Sequence, residues 1–315
     1  MTTRDVTIQH LLQSLPRAKP TTYRIALRLG PSTIDFFTDQ APLAHRMRTY
    51  FAEYLRTEKE AQCVVFCETL PFPDLWEDSD AEFRPLPEGG VLQRDFFAVP
   101  SSKPHEFHAW FAPQLDDAFQ NLLRWVMPRP LLQRNALLLH AGGVVRDDQG
   151  YVFFGQSGAG KSTTVDAIRK LDPRAIALGD DAILLALNQN HEAVLHSAPM
   201  GCGYSPFAPP RHEAKVAGLF ALEQSPVNEV LPLDPANQVA RIFASAFWSP
   251  FSDQIDERLD LMTRITRTHS PIQLLRLTPT TIFWENLLNE KRKTEAKVSE
   301  TPHSHRKPDG RGRDL

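Results

Sequence analysis

The chain has 315 residues, of which 42% are hydrophobic and 23% charged, so a sizeable core is possible and disorder of the whole chain is excluded. The formal net charge of −3 argues against a nucleic-acid-binding protein, because such proteins carry a strong positive field. The N-terminus lacks the apolar core of a signal peptide, and no apolar run reaches the ~18 residues of a membrane span. The sequence therefore predicts a cytoplasmic protein.

Residues 1–127 are predicted to form a smaller α+β region of unknown role. The expected elements are strands over 23–29, 33–38, 62–68 and 96–99 and helices over 42–55 and 118–127, with loops over most of 71–104. Cys63 and Cys67 are interpreted as buried strand residues, since the residues between them are apolar. A metal pair is the alternative, although no partner pair accompanies it.

A domain boundary is predicted at Pro128-Arg129-Pro130, followed by a second domain over residues 128–288. The last stretch, 289–315, is strongly charged and almost without apolar residues, which predicts a disordered tail.

The second domain begins with a predicted antiparallel hairpin. Leu137–Val145 is expected to form one strand and Tyr151–Phe154 the next, with only about five residues between them. Parallel strands need a crossover of a dozen or more residues, so this pair must be antiparallel. We therefore predict an α/β domain with a mixed, partly antiparallel sheet.

A P-loop pattern, G-x-x-x-x-G-K-[ST], follows the second hairpin strand. Its residues are Gly155, Gln156, Ser157, Gly158, Ala159, Gly160, Lys161 and Ser162, and we assign them, with Thr163, to nucleotide binding. Lys161 is expected to contact the β- and γ-phosphates, and Ser162 to bind Mg²⁺. A helix is predicted over 163–171, so strand, glycine loop and helix follow in the order that phosphate binding requires.

Two adjacent carboxylates, Asp180 and Asp181, interrupt a long apolar run over 175–185. Buried neighbouring carboxylates are unfavourable unless something offsets their charge, and Mg²⁺ beside a nucleotide would do so. One of the pair would then serve as general base for an attacking hydroxyl. The alternative is an ordinary Asp-Asp turn between two strands.

These motifs together resemble the catalytic domain of HPr kinase/phosphorylase, whose fold is similar to the nucleotide domain of ATP-dependent phosphoenolpyruvate carboxykinase. The resemblance rests on His140-Ala141, the hairpin, the P-loop and Gly179-Asp180-Asp181, and more weakly on 216–223, 230–233 and a helix expected over 235–247. It implies a Ser/Thr-directed kinase that uses ATP and Mg²⁺, with Lys161 on the phosphates. It also implies Asp180 as base, Asp181 as the metal-side carboxylate and His140 as a supporting group. For His140, a histidine packed in a strand is the alternative.

The sequence also departs from that family. The bifunctional enzymes carry Glu directly after the P-loop serine, where this chain has Thr163, and their downstream glycine-rich signature is missing. The chain therefore resembles a divergent relative, of the sort found beside peptide-modification genes. Relatives in the family often form oligomers, which implies a possible homo-oligomer here.

The principal hypothesis is an ATP-dependent kinase that transfers the γ-phosphoryl group to a hydroxyl of a protein, peptide or small molecule. The first alternative is a nucleotide-binding regulatory protein that transfers nothing and holds a partner through its N-terminal region. The second is a plain ATPase. The presence of both Asp180 and Asp181 favours the kinase, whereas the missing glutamate favours the regulatory protein.

Overall fold

The structure is a computed structural model that describes Leu15, Arg17 and residues 19–70, 83–86, 89–93, 96–112, 118–200, 211–248, 254–268, 272–278 and 283–286. Over these residues the fold is mixed α/β, with two mixed β-sheets, of which the sequence predicts the one in the second domain. None of the helices described is both long enough and apolar enough to cross a membrane.

The N-terminal sheet has the order β1-β2-β3-β7-β6-β5-β4 within the described residues. Its strands are β1 (Tyr23–Leu29), β2 (Ser32–Thr38), β3 (Cys63–Thr69), β4 (Arg84–Leu86), β5 (Gly90–Gln93), β6 (Phe96–Pro100) and β7 (Glu106–Phe111). The pairs β2–β3 and β3–β7 are parallel and the others antiparallel. Helix α1 (Ala41–Tyr50), a three-ten turn (Ala52–Tyr54) and helix α2 (Ala118–Val126) accompany this sheet.

Most predictions for this region are confirmed. The first hairpin forms, and Cys63 and Cys67 are buried in β3, where burial raises the pKa of the Cys63 thiol. Among the described side chains, no group of three or more His, Cys, Asp or Glu is arranged to hold a metal ion. The prediction of loops before residue 96 was wrong for β4 and β5, since strands of three or four residues carry almost no periodic signal.

The second sheet has nine strands in the described part of the chain. Its strands are β8 (Ala136–Leu139), β9 (Ala141–Arg146), β10 (Gln149–Phe154), β11 (Ile176–Gly179), β12 (Ile183–Leu187), β13 (Ala193–Ser197), β14 (Glu213–Gln224), β15 (Glu229–Pro232) and β16 (Gln273–Leu277). The helices in this part are α3 (Pro128–Leu132), α4 (Lys161–Leu171), α5 (Pro235–Ser245) and α6 (Ile255–Thr268). The main order is β11-β9-β10-β14-β13-β12-β8, and β16 joins β14 to β15.

The predicted hairpin is confirmed as β9 and β10. Asp147 and Asp148 connect the two strands, and both have positive φ (50° and 59°), as in the type I′ turns that suit hairpins. On its other side β10 pairs in parallel with β14. The strand that enters the P-loop therefore lies between an antiparallel and a parallel neighbour, as expected for a mixed sheet.

The prediction of one continuous strand from Leu137 to Val145 was wrong, because the chain breaks at His140. Before the break, β8 pairs with β12 and Leu139 lies opposite Ile183; after it, β9 pairs with β11 and Gly143 lies opposite Gly179. The two long runs 136–146 and 176–187 are thus antiparallel partners that both break at the same level. Their register brings His140 opposite the connection that carries Asp180 and Asp181.

The apolar runs around this break are buried on both faces. Leu138 and Leu184 pack into a core shared with the N-terminal sheet, whereas Leu137 and Leu185 face the core beneath α5 and α6. This explains why β8 and β12 are continuously apolar and do not alternate.

Gly179 closes the tight connection between β11 and β12. A Cβ at this position would lie 2.6 Å from the backbone oxygen of Ala182, closer than atoms can approach without a backbone shift. We expect Gly179→Ala to lower the free energy of unfolding by about 1–3 kcal/mol, the usual cost of overpacking. Urea denaturation measures this change, and a midpoint equal to that of the wild type would contradict the tight connection.

The predicted helix ends and later elements are largely confirmed. Helix α4 covers the predicted 163–171 and ends before Asp172, and α5 lies within the predicted 235–247. The Pro128-Arg129-Pro130 stretch begins α3, and the domain boundary there stays a prediction. The charged tail over 289–315 lies outside the described residues.

Candidate functional site

The glycine loop connects β10 to α4 and faces open space. Gly158 and Gly160 have φ of 81° and 102°, values that side chains other than glycine rarely adopt, and a Cβ on either would meet no atom within 4 Å. Gly160 is the N-cap of α4, so the free N–H groups of the helix begin where the loop ends. A loop of this shape at a helix N-terminus suits a phosphate group.

Lys161 is the first residue of α4 and is only 6% exposed. Its Nζ donates hydrogen bonds to the backbone oxygens of Gly155 (3.0 Å) and Gln156 (3.2 Å). Burial lowers the pKa of Lys161 below its ordinary value, although the negative charge of Asp181 acts in the opposite direction. The ammonium group is thus held inside the loop, close to where phosphate oxygens would lie.

Ser162 and Asp180 lie side by side at the edge of the loop. The Ser162 hydroxyl is 3.5 Å from the backbone oxygen of Asp180. The Oδ1 atom of Asp180 is buried and accepts no hydrogen bond within the described residues. A buried carboxylate oxygen without a donor is costly, so this atom indicates a place for a proton, a cation or a bound hydroxyl.

Asp181 is held on both sides. One carboxylate oxygen forms an ion pair with Arg124 of α2, and the other lies 2.9 Å from Nδ1 of His140. Burial raises the pKa of Asp181, but the hydrogen bond from His140 and the charges of Arg124 and Lys161 outweigh it, so the pKa lies below its ordinary value. Asp181 is therefore a firmly ionised carboxylate.

His140 lies at the strand break and not inside a strand. Its backbone N–H donates to the backbone oxygen of Ser245 (2.6 Å), the last residue of α5, and its ring makes an edge contact with Phe247. Nδ1 lies within 3.0 Å of both the backbone oxygen and a carboxylate oxygen of Asp181. Both of these are acceptors, so Nδ1 carries the hydrogen, and in the neutral ring the lone pair is on Nε2.

Arg124 is the member of this site that the sequence analysis missed. It belongs to the region before residue 128, which shows no chemical motif. One signal was available in the sequence, because Arg124 is the one charged residue among the nine residues of α2. A single cation in a helix that is otherwise buried needs a partner, and here that partner is Asp181.

A cavity of about 610 Å³ adjoins the glycine loop. Its wall combines loop residues with the chain after β14 and the end of β16: Gly158, Ala159, Gly160, Thr163, Gln224, Ser225, Pro226, Leu277 and Thr278. Gln224 donates from Nε2 to the backbone oxygen of Gly158 (2.7 Å), which ties the loop to this wall. The volume is in the range of ligand pockets.

The structure therefore brings the predicted residues together. The loop 155–160, Lys161 and Ser162 lie at the N-terminus of α4, and Asp180, Asp181 and His140 lie beside them at the strand break. Thr163 lines the adjoining cavity. The chemical roles of these residues stay predictions.

Comparison with known proteins gives a match to a family model and matches to solved structures. Residues 119–289, a little more than half of the chain, match the family described as SynChlorMet cassette protein ScmC. The structure matches the HPr(Ser) kinase/phosphatase from Coxiella burnetii with a TM-score of 0.27 and 12% identity, over 51% of this chain and 98% of the other. That match is a distant similarity and does not bear on activity. A search of curated proteins found no match.

Proposed function

This chain belongs to the SynChlorMet cassette protein ScmC family, and we propose that it is an ATP-dependent phosphotransferase that moves the γ-phosphoryl group to a hydroxyl acceptor. The observation that carries the proposal is the position of Asp180. Its buried Oδ1 has no hydrogen-bond partner among the described residues, and its backbone oxygen contacts Ser162 of the glycine loop. An oxygen of this kind can accept the proton of an attacking hydroxyl, a function that phosphoryl transfer requires and nucleotide binding alone does not.

The residues present fit ATP and Mg²⁺. The open loop and Lys161 offer hydrogen-bond donors and positive charge to the phosphates, and the adjoining cavity has room for the rest of a nucleotide. Ser162 and a carboxylate of the Asp pair would hold Mg²⁺. Mg²⁺ commonly binds through one or two protein carboxylates together with substrate phosphates, so a small set of protein oxygens is sufficient. The bound ion would neutralise charge on the β- and γ-phosphates.

The two aspartates have different surroundings and therefore different proposed roles. One carboxylate oxygen of Asp181 pairs with Arg124 and the other with His140. Asp181 is therefore a poor proton acceptor and a stable negative charge near Lys161. Asp180 has an oxygen to which no donor in the described part of the chain forms a hydrogen bond. We therefore propose that Asp180 is the general base, which accepts the proton of the acceptor hydroxyl.

The remaining residues position the groups that react. Lys161 orients the transferred phosphoryl group, and His140 supports the site through its hydrogen bond to Asp181. Catalysis by this arrangement would come mainly from positioning and charge stabilisation, as in other phosphoryl-transfer sites.

The test is to incubate the purified protein with [γ-³²P]ATP and Mg²⁺, in buffer and in an extract of the source organism, and to follow the label. Label on a discrete hydroxyl-bearing acceptor is the expected result. Label released only as inorganic phosphate would replace the proposal with an ATPase. Tight binding of ATP with neither transfer nor release would replace it with the nucleotide-binding regulatory protein.

A further inference from the structure

Arg124 reaches the site from outside the P-loop region. One guanidinium nitrogen pairs with Asp181, and Nη1 donates to Oδ1 of Asn121 (2.9 Å), one helical turn earlier in α2. The guanidinium also lies over the ring of Phe247, 5.3 Å from its centroid. These contacts hold the side chain on three sides, with a fifth of its surface exposed.

The hydrogen bonds continue into the N-terminal sheet. Asn121 donates from Nδ2 to Oε1 of Gln93 at the end of β5 (3.1 Å), and both side chains are buried. A polar chain therefore runs from Gln93 through Asn121 and Arg124 to Asp181 and His140. Buried polar chains of this kind fix one geometry, because each missing contact would leave a buried group unsatisfied.

The contact between Asp181 and His140, at the end of this hydrogen-bonded series, determines the tautomer of the His140 ring. The Asp181 oxygen that Arg124 leaves free accepts the hydrogen of His140 Nδ1 at 2.9 Å. Arg124 and His140 thus hold one carboxylate from opposite sides. If the guanidinium were absent, the carboxylate would be free to rotate. The Nδ1–H form of the ring would then keep only the backbone oxygen of Asp181 as a fixed acceptor, so the preference for this tautomer would weaken.

We infer that Arg124 is a positioning residue for phosphoryl transfer, through which the N-terminal region holds Asp181 and selects the Nδ1–H tautomer of His140. The inference rests on the proposed function for its effect on the reaction. The geometric part, from Gln93 to His140, does not depend on that function.

The kinetic test compares Arg124→Gln with the wild type in the labelled ATP assay. We expect kcat to fall roughly ten- to a hundredfold with little change in KM for ATP, since one hydrogen-bonded ion pair is lost away from the phosphates. Arg124→Lys should recover only part of kcat, because an ammonium cannot contact Asn121 and Asp181 as a planar guanidinium does. Arg129→Gln is the matched control, since Arg129 is exposed on α3, and it should leave kcat unchanged. Equal kcat values for Arg124→Gln and the wild type would overturn the inference.

A spectroscopic test separates this inference from the proposed function. Long-range ¹H–¹⁵N spectra at fixed pH report the tautomer of each histidine ring, and the signal that His140→Gln removes is that of His140. We expect the Nδ1–H form in the wild type and in Arg129→Gln, and a mixture with the Nε2–H form in Arg124→Gln. An unchanged His140 tautomer in Arg124→Gln would overturn the inference even in an active kinase. A changed tautomer would support it even if the wild type transferred no phosphoryl group.

A second variant keeps the test usable if Arg124→Gln misfolds. Asn121→Ser removes the support of Arg124 while keeping the charge of the arginine, and it should shift the His140 signal in the same direction by a smaller amount. If Arg124→Gln does not fold, the His140 tautomer is measured in Asn121→Ser and Arg124→Lys. A changed tautomer then supports the inference, and an unchanged tautomer overturns it.

Discussion

Asp180→Asn should reduce phosphoryl transfer about 10²–10⁴-fold, the range by which a general base accelerates proton transfer. The amide keeps the shape of the side chain but cannot accept the proton of the acceptor hydroxyl. Because the glycine loop and Lys161 are untouched, the affinity for the ATP analogue AMP-PNP should change less than about threefold, or ~0.6 kcal/mol. Labelled transfer and calorimetric titration measure the two quantities.

The matched control is Asp166→Asn in the same assay. Asp166 lies on α4, where it forms an exposed i,i+3 pair with Arg169, so this change removes the same charge away from the site. It should alter transfer little, because exposed pairs contribute at most about 1 kcal/mol. Equal losses of transfer and of nucleotide affinity in Asp180→Asn would show that Asp180 binds the metal–nucleotide complex, and the base would then have to be sought elsewhere.

Lys161→Ala should weaken AMP-PNP binding by about a hundredfold or more. The buried ammonium group exchanges its contacts with two loop oxygens for contacts with phosphates, and a hydrogen bond to a charged group contributes about 1.5–3 kcal/mol. Two such bonds correspond to a factor of this size. The measurement is a calorimetric titration in the presence of Mg²⁺.

Lys170→Ala is the matched control for the loss of AMP-PNP affinity in Lys161→Ala. Lys170 is exposed in the last turn of α4, so its removal takes one positive charge from the same helix without touching the loop. It should bind AMP-PNP within about threefold of the wild type. If Lys161→Ala remains folded, as judged by its melting curve, and binds as tightly as Lys170→Ala, the loop does not hold phosphates.

Local sequence signals were reliable for the glycine loop and its surroundings. The positions that require positive φ, the apolar run before them and the helix after them lie within a short stretch, and each is determined by neighbouring residues. The same holds for the β9–β10 hairpin, whose short connection excludes a parallel pair. The short strands β4 and β5 gave too little periodicity to be recognised.

The break at His140 could not be found in this way. Leu137–Val145 is apolar on both sides of His140, because β8 and β9 are buried, and nothing local distinguishes one long strand from two. The partner run is interrupted after Gly179, at the same level, and pairs separately on either side of this interruption. Register between distant strands is a property of the sheet and not of either strand alone.

The sequence by itself determined which chemical groups this protein carries: a glycine loop with the P-loop pattern, a lysine, a serine and a pair of aspartates, each at a spacing that its backbone geometry demands. Only the tertiary structure decided how the two aspartates differ. Asp180 and Asp181 are adjacent and chemically identical, yet Arg124, which is 57 residues from Asp181 in the chain, and His140 reach only the second of them. Whether a carboxylate is paired depends on which side chains packing brings within a few ångströms, and such contacts between distant segments leave no local pattern in the sequence.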